Sequence, residues 1–420
     1  MLAGAEAGAP SGRLGALGYP EYRWFFLGSL LASVGQNMQA FAQGWLVIEI
    51  ATRDGDPTRG PLYLGLVGLA RFVPAVAFGL AGGVVADGFD RRRTLFAART
   101  AFSALIAVMA ALTLTDRMSL AAVMAISALS ALVGAVETPT RLAISPLLTA
   151  PRHAFSAIGI TRATMASSAL IGPLLGGILI LPLGVGWLLV VNAAMYALAG
   201  LGLDRVRALP PDARLRASTA WQSLRDGVAH VWVRPTLRGF LMANVVMAMF
   251  ASSYTNLLPA VAKNALGGDA VQLSWLIGAA GFGSLAGAIA LTTLASWPAP
   301  GRILLGHAFV LGAMLVALGL QHDLIPAVVV CVFLGWLSLV YYGGTGSILQ
   351  MGSPNYVRGR VMALQVTIFQ GGTQLGTLII GLVGSFIGIS DAMMIAGSVV
   401  LLASVVMSRI PALREATTAP

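Results

Sequence analysis

Charge is what this chain has least of. Of its 420 residues, 10% are Asp, Glu, Lys or Arg and 57% are hydrophobic. Soluble globular domains carry roughly 25% charged residues. A chain this poor in charge cannot cover itself with polar surface in water, which leaves a bilayer as its solvent. Lysine is nearly missing: Lys263 is the only one, and Asn264 follows it. A phosphate-cradling loop needs a glycine-rich turn ending in Lys-Ser or Lys-Thr, so the chain has no ATP site of that type. Cys331 is the one cysteine. That excludes an internal disulfide and predicts a small packing residue in an apolar span. The four histidines, His153, His230, His307 and His322, are scattered, with no HExxH and no pairing with cysteine. No metal site is expected, and no cofactor or enzymatic nucleophile set is visible. The amino terminus has no basic stretch followed by a short apolar one, so no cleaved signal peptide is expected.

What the chain has instead is long apolar runs. A spanning helix needs about 20 mostly apolar residues. Runs of that kind predict spans near 24–51, 62–86, 95–115, 119–143, 155–181 and 186–204. A second set lies near 238–261, 272–295, 303–320, 325–349, 361–386 and 390–409. The alternating pattern of a membrane barrel is absent. The expected fold class is an all-α membrane protein of twelve transmembrane helices in two pseudo-symmetric six-helix halves. Residues 1–22 form an N-terminal segment, 23–204 and 238–409 the two bundles, 205–237 a linker and 410–420 a tail. In the linker, Trp221, Leu224, Val228 and Val231 recur at helical spacing, with Ser218 or Thr219 as a cap. That predicts an amphipathic helix on the membrane surface. Pro151 in LLTAPRHAFSAI aligns with Pro354 in LQMGSPNYVRGRV, 203 positions on, and Gly83 with Gly287, 204 positions on. Two nearly equal offsets suggest an internal repeat of six spans, an arrangement that encloses a midplane binding site.

The net charge of +10 does not point to nucleic acid, because of where it sits. Most basic residues, among them Arg91, Arg92, Arg93, Arg141, Arg152, Arg205, Arg207, Arg358, Arg360 and Arg414, fall on one side of the twelve-span arrangement. This positive-inside pattern predicts a multi-pass protein of the cell membrane with both termini cytoplasmic. Arg71 and Arg162 lie inside spans, where charge is a functional candidate by default. No acid occupies the middle of any span, and Glu49 comes closest. A pocket with arginines and no central carboxylate suits an anionic or catechol-bearing substrate, although Arg71 can equally snorkel or pair with Glu49. Gln36, Gln39 and Gln43 share one face of the first span, and Thr367, Gln370 and Gln374 form a similar stripe in the eleventh. Amides are costly in lipid, so these faces line a cavity or bond between helices, and Asn244, Tyr254 and Asn256 join them. Gly283 and Gly287, within GFGSLAG of an apolar span, read as close helix packing and not as a dinucleotide loop.

Several stretches then carry a resemblance. They are YRWFFLGSLLASVGQNMQAFAQGWLVIEI, GGVVADGFDRRR, IGPLLGGIL, WQSLRDGVAHVWVRPTLRGFL and SPNYVRGRVMAL, in that order. Together they resemble the major facilitator superfamily along nearly the whole chain, and within it the bacterial drug and siderophore exporters of the enterobactin-exporter type. In the loop between spans two and three, Gly83, Asp87, Arg91 and Arg92 match the family's motif. Gly88 departs from a usual basic residue, and Asp90 stands where the general motif has glycine. In span five, Gly159, Gly172, Pro173, Gly176 and Gly177 match the antiporter signature, with Ser168 at a usual glycine. The glycines and Pro173 permit either a functional bend or simple tight packing. The resemblance implies a latch of Asp87, Arg91, Arg92, Glu137 and Arg141 at the cytoplasmic mouth. It also implies a proton-coupled exporter of small organic molecules working by alternating access. Glu49, Asp87 and Glu137 are the candidates to carry the proton. Its partners are then the substrate, protons and lipid, acting as a monomer. The rivals are an uptake carrier of the same fold and a non-transporting membrane receptor.

Overall fold

The computed structural model describes residues 15–88, 90–209, 220–293, 297 and 299–416. Side chains are described for all of these except 78–88, 220–224, 226, 355 and 356. Every regular element among them is helical. In chain order these are α1 (Pro20–Arg53), α2 (Gly60–Gly88), α3 (Arg91–Leu114), α4 (Leu120–Leu147), α5 (Ala154–Leu201), α6 (Ala220–Trp232) and α7 (Pro235–Val246). They are followed by α8 (Tyr254–Ala260), α9 (Ala270–Leu291), α10 (Pro300–Gly319), α11 (Leu324–Met351), α12 (Asn355–Ile387), α13 (Ile389–Ser408) and the short α14 (Pro411–Arg414). The starts follow local chemistry: Asp90, Ser119 and Asp269 each accept a hydrogen bond from a backbone N–H in the first turn of α3, α4 and α9. Such caps satisfy donors that the helix leaves without partners.

Ten helical stretches among the described residues are long and apolar enough to cross a membrane. One of them, Pro151–Arg205, has 55 residues, roughly 80 Å at 1.5 Å per residue. A hydrocarbon core is only about 30 Å thick. The direction changes at Gly184, whose φ of 73° and ψ of 170° lie outside helical space. Positive φ costs an L-residue sterically and glycine nothing. The seventh predicted span is also irregular. One-turn π-helical segments, Met247–Ala251 and Val261–Ala265, flank α8. Bulges of this kind often mark functional positions.

The chain forms two compact units, one from residues 1–43 with 73–217 and the other from 44–72 with 218–420. The first is organised around Tyr22, Phe25, Leu95, Ile144, Leu148, Ala157 and Leu203, which join the start of α1 to α3, α4 and α5. The second is closed by glycines. A Cβ on Gly283 of α9 would stand 1.9 Å from the Val332 carbonyl oxygen of α11, and one on Gly335 of α11 would stand 1.9 Å from that of Ala280. With no side chain between them, the two backbones meet directly, which replaces the hydrophobic drive missing in lipid by van der Waals contact.

Candidate functional site

The charged loop GGVVADGFDRRR is tied down by its aspartate. Asp90 accepts from the Arg93 N–H at 2.9 Å, and its other oxygen accepts from the Leu209 N–H at 2.8 Å. The Arg91 N–H in turn donates to the Leu209 carbonyl. The residue that departs from the general family motif is therefore a helix cap and an anchor for the chain leaving α5. Arg92, half-buried, pairs with the exposed Asp204 at 3.0 Å. The side chain of Asp87 lies outside the described residues.

Glu137 and Arg141 are not at a helix end. α4 continues to Leu147, so Glu137 stands ten residues inside it, about 15 Å along the axis. This corrects the expectation that no acid occupies the middle of a span. Glu137 and Arg141 are 4% and 2% exposed, and the Arg141 Nε lies 3.6 Å from the Glu137 Oε1. Arg141 donates to the Ser33 hydroxyl of α1 at 2.7 Å. The sequence reading passed over Arg99 of α3. Its side chain is wholly buried, donating to the Ala199 carbonyl at 2.7 Å and to the Ser29 hydroxyl at 3.0 Å, while its Nε has no partner. Gly28 makes room for it, since a Cβ there would meet the guanidinium at 3.0 Å. The signal was in the phase: Leu95, Arg99, Phe102, Ile106 and Met109 share the buried face of α3. Two guanidiniums and one carboxylate thus share the interior of one bundle. Removing the carboxylate from such a set would leave two buried positive charges unbalanced.

The amides divide. Gln43 donates to the Ser127 hydroxyl at 2.8 Å, and Gln39 is buried. Asn244, also buried, accepts from Thr345 at 3.2 Å. Gln374 accepts from Asn256 at 3.3 Å, and a Cβ on Gly68 would stand 2.3 Å from its Oε1. Gln43, Asn244 and Gln374 thus bond between helices. Gln36, Arg71, Arg162 and Gln370 are exposed. In α5, Gly172 lies against the α1 backbone, a Cβ meeting the Val34 carbonyl at 2.8 Å, and Gly176 lies against Phe41. Pro173 and Gly177 are buried beside them. A Cβ on Gly159 would meet nothing within 4 Å.

A further constellation joins residues 44–72 to the second set of helices. Glu49 accepts from the Trp45 indole at 2.7 Å, and the Lys263 ammonium stands 5.8 Å over the Trp45 ring. Asn264 donates to the Pro57 carbonyl at 3.1 Å. Gly65 and Gly381 let α2 and α12 touch: Cβ atoms there would stand 2.5 Å from the Leu378 Cα and 2.2 Å from the Pro61 carbonyl oxygen. Among the described residues, no group of three or more His, Cys, Asp or Glu could hold a metal ion.

Comparison with known proteins gives this geometry a context. The profile of the transmembrane secretion effector family matches residues 11–419. An enterobactin exporter, EntS, of Escherichia coli O1:K1 is 27% identical over 369 residues, 87% of this chain and 86% of its own. The EntS of Escherichia coli O139:H28 is 26% identical over the same shares. Among solved structures, a bacterial homolog of the human lysosomal transporter Spinster, in an inward-facing and unoccupied conformation, superposes with a TM-score of 0.74 at 15% identity, covering 94% of this chain and 98% of that one. A D-xylose–proton symporter superposes at 0.68 and 16%, covering 94% and 98%.

Proposed function

Because the chain belongs to the transmembrane secretion effector family of the major facilitator superfamily, and is thus a multi-pass membrane transporter and not an enzyme, we propose that it exports small organic molecules, drug- or siderophore-like, in exchange for protons. The observation that carries this reading is the buried set of Arg99, Glu137 and Arg141. Ionisable groups inside a membrane bundle are expensive and mark ion or substrate pathways. With Glu137 ionised, its carboxylate offsets one of the two guanidinium charges. A proton on Glu137 leaves both without a counter-charge, so the two protonation states favour different helix arrangements and the equilibrium between them shifts. Asp87, at the end of α2, with Arg91 and Arg92, forms the cytoplasmic latch in this scheme. Exposed Arg71, Arg162, Gln36 and Gln370 favour an anionic or catechol-bearing substrate, and Glu49 is the second proton candidate.

Direction is supported by likeness to an enterobactin exporter over 87% of the chain; the fold itself also serves a proton symporter. Counting the 55-residue stretch twice and adding α1 raises the ten candidate spans to twelve. The gathering of arginine on one side supports a bacterial inner-membrane protein with both termini in the cytoplasm. The test follows efflux of anionic siderophore-like compounds and of cationic dyes from preloaded cells, with and without an uncoupler. Wild type, Glu137→Gln and Asp87→Asn are compared. Uncoupler-sensitive efflux of the anions, lost in Glu137→Gln, is expected. Efflux that ignores the uncoupler would remove proton coupling, and accumulation of external compound instead of efflux would reverse the direction.

A further inference from the structure

Away from the buried charges, the ends of α10 and α13, together with α14, line an open cavity of about 370 Å³. Its rim carries Arg302 and Arg414, and its wall includes Gly306, Phe309, Ser404 and Val405. Both arginines are exposed, and neither guanidinium makes a hydrogen bond or ion pair among the described residues. The exposed acid Glu415, next in the chain, pairs with neither. The cavity is open space by construction of the sequence: a Cβ added at Gly306 would meet nothing within 4 Å. The Ser404 hydroxyl donates back to the Val400 carbonyl at 2.7 Å, so it gives the wall a polar surface without adding charge. Beyond the rim the surface turns apolar and outward, with Phe309 47%, Leu402 68%, Val405 41% and Val406 62% exposed.

A pair of unpartnered guanidiniums above an outward apolar strip matches one kind of molecule, with a phosphate at one end and hydrocarbon at the other. Arginine holds phosphate oxygens through its planar set of donors, and basic pockets between helices at the cytoplasmic end are where anionic headgroups bind. We propose that this cavity binds an anionic phospholipid, Arg302 and Arg414 holding the phosphodiester and an acyl chain lying along Phe309 and Val405. The site needs only that the chain sits in a bilayer, so it stands or falls independently of export and of proton coupling. It anchors α10 and α13 to the lipid of one leaflet.

The experiment is native mass spectrometry of the full chain in detergent, titrated separately with phosphatidylglycerol, phosphatidylcholine and inorganic phosphate. Phosphatidylglycerol is expected to be retained and phosphatidylcholine lost at equal concentration, with millimolar phosphate failing to displace the lipid. The double change Arg302→Gln with Arg414→Gln is expected to weaken phosphatidylglycerol binding roughly 30-fold, at about a kcal/mol for each surface cation. Gly306→Phe, which fills the cavity and leaves both arginines, is expected to weaken it as well. Arg409→Gln, on the same end but outside the cavity lining, is expected to leave it unchanged. Equal retention of the two lipids, displacement by free phosphate, or an equal loss in Arg409→Gln would each overturn the proposal. A thermal melt of every variant separates lost binding from lost fold.

Discussion

Arg99 shows what one residue does to the energetics of a bundle. A buried guanidinium with a partnerless Nε and a like charge on Arg141 in the same unit is a cost to folding. Removing it leaves the Glu137 carboxylate and the Arg141 guanidinium as a one-to-one pair, so no buried charge is stranded. Arg99→Met is therefore expected to keep or raise the melting temperature while lowering efflux at least about tenfold, the rate equivalent of ~1.4 kcal/mol. A lower melting temperature with unchanged efflux would make Arg99 a structural residue and nothing more. The glycines of α5 separate in the same way. Gly172→Val must push α5 off the α1 backbone, a kind of overpacking that costs about 1–3 kcal/mol. Gly159→Ala meets open space and should stay within about 0.5 kcal/mol of wild type. Chemical-denaturant or thermal melts of the two variants check both.

At the scale of elements, the contact between α2 and α12 is made by missing side chains. Gly65→Val would place methyl groups where the Leu378 backbone now lies, so the two helices must separate there. Transport that cycles through this contact should slow in Gly65→Val while substrate binding survives. Efflux and binding measured on one preparation test this, and loss of binding alone would contradict it. The linker helix α6 carries a pH dependence. Burial, and then the charge of Arg234, push His230 below the ordinary imidazole value. A depressed folded pKa means that stability is fully present above the unfolded value, about 6.5, and is lost as pH falls through and below it. The protein is expected to melt lower at pH 5.5 than at pH 7.5, and His230→Gln should narrow that difference. An unchanged difference would assign the acid sensitivity elsewhere.

For the whole molecule, the placement of charge makes a topological statement that one cysteine can test. Cys331 is buried, so Cys331→Ala supplies a cysteine-free background at small cost. On that background, Asp56→Cys is expected to react with an impermeant maleimide added to intact cells. Glu415→Cys is expected to react only after the membrane is opened. The opposite pattern would invert the molecule. Asp56 suits the purpose because it lies in a surface turn between α1 and α2. There the Thr58 hydroxyl, and the charge of Arg59, hold its carboxyl below the usual carboxylate range.

The helical class, the membrane as solvent and the exclusion of nucleotide, disulfide and metal-motif chemistry all followed from the sequence. Each depends on composition and spacing summed along the chain, and such sums survive any local error. The starts of α3, α4 and α9 were equally local, since a capping side chain reaches only its own first turn. The burial of Arg99 and Glu137 was decided in three dimensions. Arg99 follows three arginines closely enough in sequence to read as the end of a solvated cluster, and only the packing of α3 against Ser29 and Ala199 turns it inward. The predicted fourth span closes at 143, six residues past Glu137, whereas α4 runs ten residues past it. The division of labour among the glutamines was tertiary for the same reason: an amide stripe has one spacing whether it meets Ser127, as Gln43 does, or stays exposed, as Gln36 does. Periodicity tells which residues share a face, and only the neighbouring helix determines what that face meets.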